Sequence, residues 1–457
     1  MTSNASRREF LKRASALSGA GVAAPWALNL AAFGEAAAAD ATGYKALVCV
    51  FLYGGNDYAN TVVPYDSSSH AAYATLRQTL ATPRDSLAPT VLNPVSALAG
   101  GRQYALAPQL APLLPIFDAG RLAVLLNIGT LVMPTSKAQY QAGSVLLPPK
   151  LFSHNDQQSV WQSSSPEGST SGWGGRMGDL FASSNGNSTF TCVSAAGNAV
   201  FLSGTSAVQY QVSSAGSVPL TGLKSPLFGS SACSDALRAL VTASRTHLYE
   251  AEHTRVMKRS IDADASLTTA LAGQPALGTV FPAGNSLAAQ LAMVARMIAA
   301  RSTLGAKRQV FFVSMGGFDN HDSLLTDHPA LLGTVGAALA AFQAAMAELG
   351  VADLVTTFSA SDFGRTLTTN GDGSDHGWGS MHFVMGGAVQ GRRFYGTAPA
   401  VANNGPDDVG QGRLLPAISV DQLGATLGRW FGVSDTELNT VLPNLRNFTT
   451  RNLGFMG

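Results

Sequence analysis

Seven side chains of the types that hold divalent metals stand out by their placement in this sequence: Asp57, Asp319, His321, Asp362, Asp375, His376 and His382. Carboxylate oxygens mixed with imidazole nitrogens suit zinc, manganese or iron, and calcium where fewer histidines take part. Such ions acidify water near neutral pH, and a pair of them clamps a transferring phosphoryl or sulfuryl group. The plainer alternative is a polar network that holds loops at a sheet edge. Spacing favours the chemical reading. Asp57 follows the apolar run 44–53 and the turn Gly54-Gly55, Asp319 and His321 follow Val310-Phe311-Phe312-Val313 and Gly316-Gly317, and Asp362 follows the run 354–358. Three buried strands that each end in an acid place these groups where open α/β sheets bind ligands.

A second set, Ser153, His154, Arg176 and Arg365, has the types expected of catalytic groups. Ser153-His154 precedes polar residues that open a helix, whose N-terminus favours an anion. Ser153 is the candidate nucleophile, but adjacent serine and histidine do not face one another, so the two are not a triad pair. Arg176 and Arg365 are placed to steady an anion. The structural alternatives are a serine cap, a surface histidine and a capping arginine. The chain has no Gly-x-Ser-x-Gly elbow, Walker loop or dinucleotide fingerprint.

The elements that must position these residues read as parallel strands and crossovers. Apolar runs at 44–53, 122–128, 310–313 and 354–358 suit strands buried on both faces. Leu287, Leu291, Val294 and Ile298 mark a helix before the third run, and the apolar spacing from Leu331 to Leu349 marks the crossover between the third and fourth. Residues 107–119 have helix-like spacing, and a polar-faced helix is expected over 234–261. The Ser/Gly/Thr/Val-rich stretch 183–230 reads as a β-rich excursion or cap. Ser419, Val420 and Asp421 open a capped helix through Trp430. The expected fold class is α/β, a mostly parallel central sheet with helices on both faces, in one domain over residues 40–457.

The chain has 457 residues, 46% hydrophobic and 12% charged, with net charge +1. That composition excludes a disordered chain and leaves no basic footprint, so nucleic acid is not an expected partner. Ser6-Arg7-Arg8-Glu9-Phe10-Leu11-Lys12 is a twin-arginine export motif, and Ala37-Ala38-Ala39 has the small-residue pattern of a cleavage site. A signal peptide over 1–39, passage through the twin-arginine translocase and a periplasmic or secreted location are therefore expected. No other run reaches membrane-spanning length. Of the three cysteines, Cys192 and Cys233 form the pair that an oxidising compartment could join, with Cys49 left as a buried apolar residue.

Six motifs in order, among them Tyr53-Gly-Gly-Asn-Asp57, Phe152-Ser-His154, Phe318-Asp-x-His-Asp322 and Asp375-His-Gly-Trp-Gly379, resemble those of a bacterial twin-arginine-exported family catalogued as "domain of unknown function 1501". That family distantly resembles the alkaline phosphatase and sulfatase superfamily, which implies an alkaline-phosphatase-like three-layer sandwich. The resemblance implies metal ligation by Asp57, Asp319 with His321, Asp362 and His376, with Ser153 standing for the nucleophile. Where the superfamily carries an Asp-His dipeptide this chain has Asp362-Phe363, one ligand fewer. Three functions follow as expectations. The first is an exported metal-dependent hydrolase of phosphate or sulfate esters, on a small-molecule or polymer substrate. The second is an export, assembly or surface-polymer accessory protein on a degenerate hydrolase fold. The third is a metal-independent serine hydrolase using Ser153.

Overall fold

The computed structural model describes residues 41–457, and the expected signal peptide over 1–39 lies outside the described residues. In chain order the strands are β1 (Lys45–Leu52), β2 (Val62–Pro64), β3 (Tyr104–Leu106), β4 (Leu122–Gly129), β5 (Cys192–Ser194) and β6 (Tyr210–Ser213). They continue as β7 (Gly216–Ser217), β8 (Arg308–Met315), β9 (Val355–Ser361), β10 (Ser380–Met385), β11 (Arg393–Tyr395) and β12 (Ile418–Ser419). Ten of them form one sheet in the order β11-β4-β10-β9-β1-β8-β5-β6-β7, with β12 beside β4. β1 lies at its centre, parallel to both β8 and β9. The exception among the long strands is β10, antiparallel to β4 and β9.

Both faces of β1 are buried, which is why it reads as an unbroken apolar run. Ala46, Val48, Val50 and Leu52 face one core, which is shared with Leu291 of the Ser286–Ala299 helix and Phe342 of the Leu324–Glu348 helix. Leu47, Cys49 and Phe51 face the other, shared with Trp161, Trp173 and Leu427 from the His154–Ser163, Trp173–Phe181 and Val420–Phe431 helices. Helices therefore cover both faces of a mostly parallel sheet, as expected.

Several local expectations differ. Residues 108–118 begin as a 3-10 turn and end as a five-residue α-helix, because Pro112 and Pro115 interrupt the ladder. The helix expected over 234–261 is two, Ser231–Thr242 and Leu248–Ala272. Part of the stretch 183–230, expected as a β-rich excursion or cap, forms the short strands β5 to β7 at one edge of the main sheet. Leu324–Glu348 is by length and composition apolar enough to cross a membrane, which the sequence reading did not foresee. Here it is the crossover between β8 and β9, packed on the sheet and capping its buried face. Cys49, Cys192 and Cys233 are all free thiols, so the Cys192–Cys233 disulfide does not form.

The capping box that Ser419 makes with Gln422 starts the Val420–Phe431 helix as expected. It also buries Asp421, whose carboxyl accepts from Ser164 Oγ at 3.3 Å and the Asn444 amide at 3.2 Å. Burial pushes this carboxyl up to about 6, and its hydrogen bonds and the charge of Arg176 offset that only in part. An unfolded aspartate titrates near 3.9, so the fold holds the proton more tightly than the unfolded chain. The stability this gives is present below about pH 4 and lost as pH rises through about 6. Asp421→Asn is expected to raise stability at pH 8 by about 3 kcal/mol and to leave it nearly unchanged at pH 4. Thermal melts of both proteins at the two pH values check this; equal shifts at both would contradict it.

Candidate metal centre

The β1, β8 and β9 strands deliver their carboxyl ends to one place, and three loops close on it. Gly54 makes the convergence feasible: a Cβ there would lie 2.4 Å from the Asp319 amide nitrogen, and its φ of +116° is one that glycine adopts without penalty. Its amide donates to Asp362 Oδ2 at 3.1 Å, tying the end of β1 to that of β9.

At the centre three imidazoles meet nitrogen to nitrogen. His376 Nε2 lies 3.0 Å from His154 Nε2 and 2.8 Å from His321 Nε2. Asp319 completes the group, its oxygens 3.1 Å from His321 Nε2, 3.3 Å from His376 Nε2 and 3.4 Å from His154 Nε2. Each Nδ1 already has an acceptor. His154 Nδ1 meets Asp362 Oδ2 at 2.6 Å, His376 Nδ1 meets the Phe152 carbonyl at 2.7 Å, and His321 Nδ1 meets Asp375 Oδ1 at 3.2 Å. Those acceptors place the ring protons on Nδ1, so in neutral rings all three Nε2 lone pairs point into the cluster. Lone pairs 3 Å apart repel unless a cation sits among them.

The donor set fits a divalent metal on geometry alone. Ligands about 2.1 Å from a tetrahedral zinc stand about 3.4 Å from one another, and the five donor separations given above, every pair but His154 with His321, run from 2.8 to 3.4 Å. The outer contacts are those that metal-bound histidines require, a carboxylate or carbonyl on the second ring nitrogen. His154, Asp319 and His376 alone already form a group whose donor atoms lie within 4.8 Å of one another. Three imidazoles favour zinc, manganese or iron over calcium.

Electrostatics follow the same layout. The Asp362 hydrogen bond, working against burial, raises His154, whereas burial lowers His376. A proton therefore competes with a metal most strongly at His154. Burial pushes Asp319 up, but the Arg365 hydrogen bond and charge and the neighbouring histidines hold its carboxyl below the usual range. Burial acts the same way on Asp375, and the Asn370 and His321 hydrogen bonds outweigh it.

The expected residues sort clearly by position. Asp319, His321, Asp362, Asp375 and His376 come together, and His154, expected as a catalytic group, joins them as a donor. Arg365 is buried beneath them, donating to Asp319 Oδ1 at 2.7 Å and to the Gly54 carbonyl at 3.0 Å, so it holds a ligand and is not free to meet an anion. Arg176 is elsewhere, its donors spent on the carbonyls of Val441, Ser171 and Ser163. Ser153 is the N-cap residue of the His154–Ser163 helix, and its hydroxyl donates to Asp156 Oδ2 at 2.9 Å, away from the cluster.

Two expected ligands are held outside the group. The Asp57 carboxylate is fully buried against the Arg77 guanidinium and caps the Tyr58–Asn60 turn, so an arginine occupies it where a metal was expected. His382 lies inside β10, with Nδ1 3.2 Å from Ser359 Oγ and its ring edge-on to Trp161, and burial pushes it down to about 3. Sequence reasoning missed Gln158, which donates to Asp362 Oδ2 at 2.9 Å, and Phe363, whose ring packs on both His154 and His376. The Phe152-Ser-His154 and Gln157-Gln158 motif contained the first signal. The Asp-His position filled by Phe363 contained the second.

Fold and site together define an α/β protein with an imidazole-rich candidate metal centre at the carboxyl ends of its strands. The chain belongs to the family described as "Protein of unknown function (DUF1501)", whose model matches residues 44–443. No curated protein matches it significantly. Among solved structures it is similar to a carrageenan sulfatase in complex with a neocarrahexaose, at 9% identity and TM-score 0.36, covering 89% of this chain and 77% of that one. It is also similar to a glycosaminoglycan sulfatase of Bacteroides thetaiotaomicron, at 11% identity and TM-score 0.33, covering 86% of this chain and 74% of the other.

Proposed function

We propose that this chain is a metal-dependent hydrolase of sulfate or phosphate esters that works outside the cytoplasm. One observation carries the reading: three imidazole Nε2 atoms and a carboxylate converge with every Nδ1 already bonded. His154, His321, His376 and Asp319 would hold the metal, which when bound supplies Lewis acidity toward an ester oxygen and toward water. The protein's own residues do the rest. Asp362, Asp375 and the Phe152 carbonyl fix the ring tautomers, and Arg365 aims Asp319. The metal face is open to solvent, with Asp319 47% and His321 44% exposed at their side chains, so an ester group can approach from that side. Ser153 is turned to Asp156, which favours water over a serine as the attacking group. The twin-arginine motif supports the location.

A second reading has one observation of its own. His154, Asp319 and His376 form one mutually close donor group and His321 adjoins two of them, so a fourth protein donor could close the site as structural zinc sites are closed, whereas catalytic sites keep a position open. In that case the ion staples three loops of an accessory protein. Assays of aryl sulfates and aryl phosphates with the purified mature chain separate the two. The hydrolase reading predicts turnover that a chelator abolishes and added metal restores. A chain that holds metal stoichiometrically and hydrolyses neither ester would contradict it and favour the structural metal.

A further inference from the structure

We propose that this protein forms a two-fold dimer through the N-terminal half of the Leu248–Ala272 helix. Tyr249, His253, Val256, Ser260, Ala263 and Leu267 recur at alternating spacings of four and three, a single seam along the helix. The C-terminal part of that seam, Ala263 and Leu267, is buried in the protein's own core. The N-terminal part is more open: Tyr249 is 78% and Leu248 beside it 76% exposed, while Val256, at 37%, and Ser260 border a cleft that Ala207 and Tyr210 also line. The preceding Ser231–Thr242 helix has no buried residue at all. It packs on the short Thr221–Lys224 helix and on the Leu248–Ala272 helix without fully burying any side chain, so this arm gains by acquiring a further packing partner.

The charges beside the seam select a second copy as that partner. Glu252 and Arg259 flank it on one side, seven residues apart. In an antiparallel pair of these helices the seam layers match His253 with Val256 of the second copy and Tyr249 with Ser260 of the second copy. In that register Glu252 faces Arg259 of the other copy, and the same pair recurs across the axis. An isologous interface is self-complementary in this way. Helix-dipole preference accounts for acids near the N-terminus, but not for Arg255, Lys258 and Arg259 in the middle of a 25-residue helix. Within one chain Glu252 also pairs with Arg255, a contact it can share.

Analytical ultracentrifugation of the mature chain tests the proposal with three variants. The native chain should self-associate to a dimer. Glu252→Arg places like charges opposite each other twice and should weaken the dimer by about tenfold or more, as should Arg259→Glu. The double reversal restores both pairs and should restore the dimer. Both positions are exposed, and circular dichroism of each variant checks that it is folded. A native chain that stays monomeric, single reversals that leave a dimer unchanged, or a double reversal that fails to rescue would each overturn the proposal.

Discussion

His376→Ala is expected to abolish stoichiometric metal binding while leaving the chain folded. His376 Nε2 is the hub of the group, within 3.0 Å of one imidazole nitrogen and 2.8 Å of another, so its loss removes a donor and separates the others. The ring is 26% exposed and its packing partners His154, His321 and Phe363 remain, which limits the structural cost. Asp362→Asn tests the same geometry one shell out. Asn keeps the shape, but its amide oxygen is a weaker acceptor for the His154 Nδ1 proton, and outer-shell changes of this kind cost about 10- to 100-fold in affinity. Competitive chelator titration measures both. A graded result, with weakened binding in Asp362→Asn and none in His376→Ala, is the prediction. Equal affinity in all three proteins would mean that the metal, if bound, sits elsewhere.

Arg77→Met is expected to be the most damaging single substitution for stability, by about 3–5 kcal/mol. Arg77 ends the Ser67–Arg77 helix, bonds Asp57 in the core and donates to the Thr366 carbonyl at 3.0 Å. Both side chains of the pair are fully buried. Burial raises the Asp57 carboxyl, but the charges of Arg77 and His328 more than offset it, and without Arg77 a carboxylate would stay in the core unpaired. The double variant Asp57→Asn with Arg77→Met removes both charges and should recover most of the loss. Urea denaturation of the two proteins checks this. A mild effect of Arg77→Met alone would mean that Asp57 has another cation to pair with.

How far the sequence revealed this depends on how local each cause was. β1, β4, β8 and β9 were legible because strands buried on both faces leave unbroken apolar runs. The acids after β8 and β9 were legible for the same reason, since strand ends mark the sheet edge. β10 was not: Ser380 and His382 give it polar positions, and it runs antiparallel between two strands distant in sequence, so His382 was read as a loop ligand. Asp57 had the right position after its strand, but its partner arrives from the far end of a separate helix, and no periodicity announces that pair. His154 was read beside Ser153 as part of a nucleophile or ligand site at a helix N-terminus, apart from the seven expected metal ligands. Only the fold shows that the first turn of its helix throws the imidazole into the cluster and leaves the hydroxyl to Asp156. The missing histidine of the Asp362-Phe363 dipeptide has a physical counterpart too, since Phe363 supports two imidazoles instead of adding a third ligand.

Anomalous diffraction from crystals of the metal-loaded protein tests the central claim most directly, because it locates the ion without assuming its role. One strong peak is expected within bonding distance of Nε2 of His154, His321 and His376 and of the Asp319 carboxylate, with Asp57 still paired to Arg77. A peak at Asp57, or none near His376 after loading with zinc, manganese or iron, would contradict that claim.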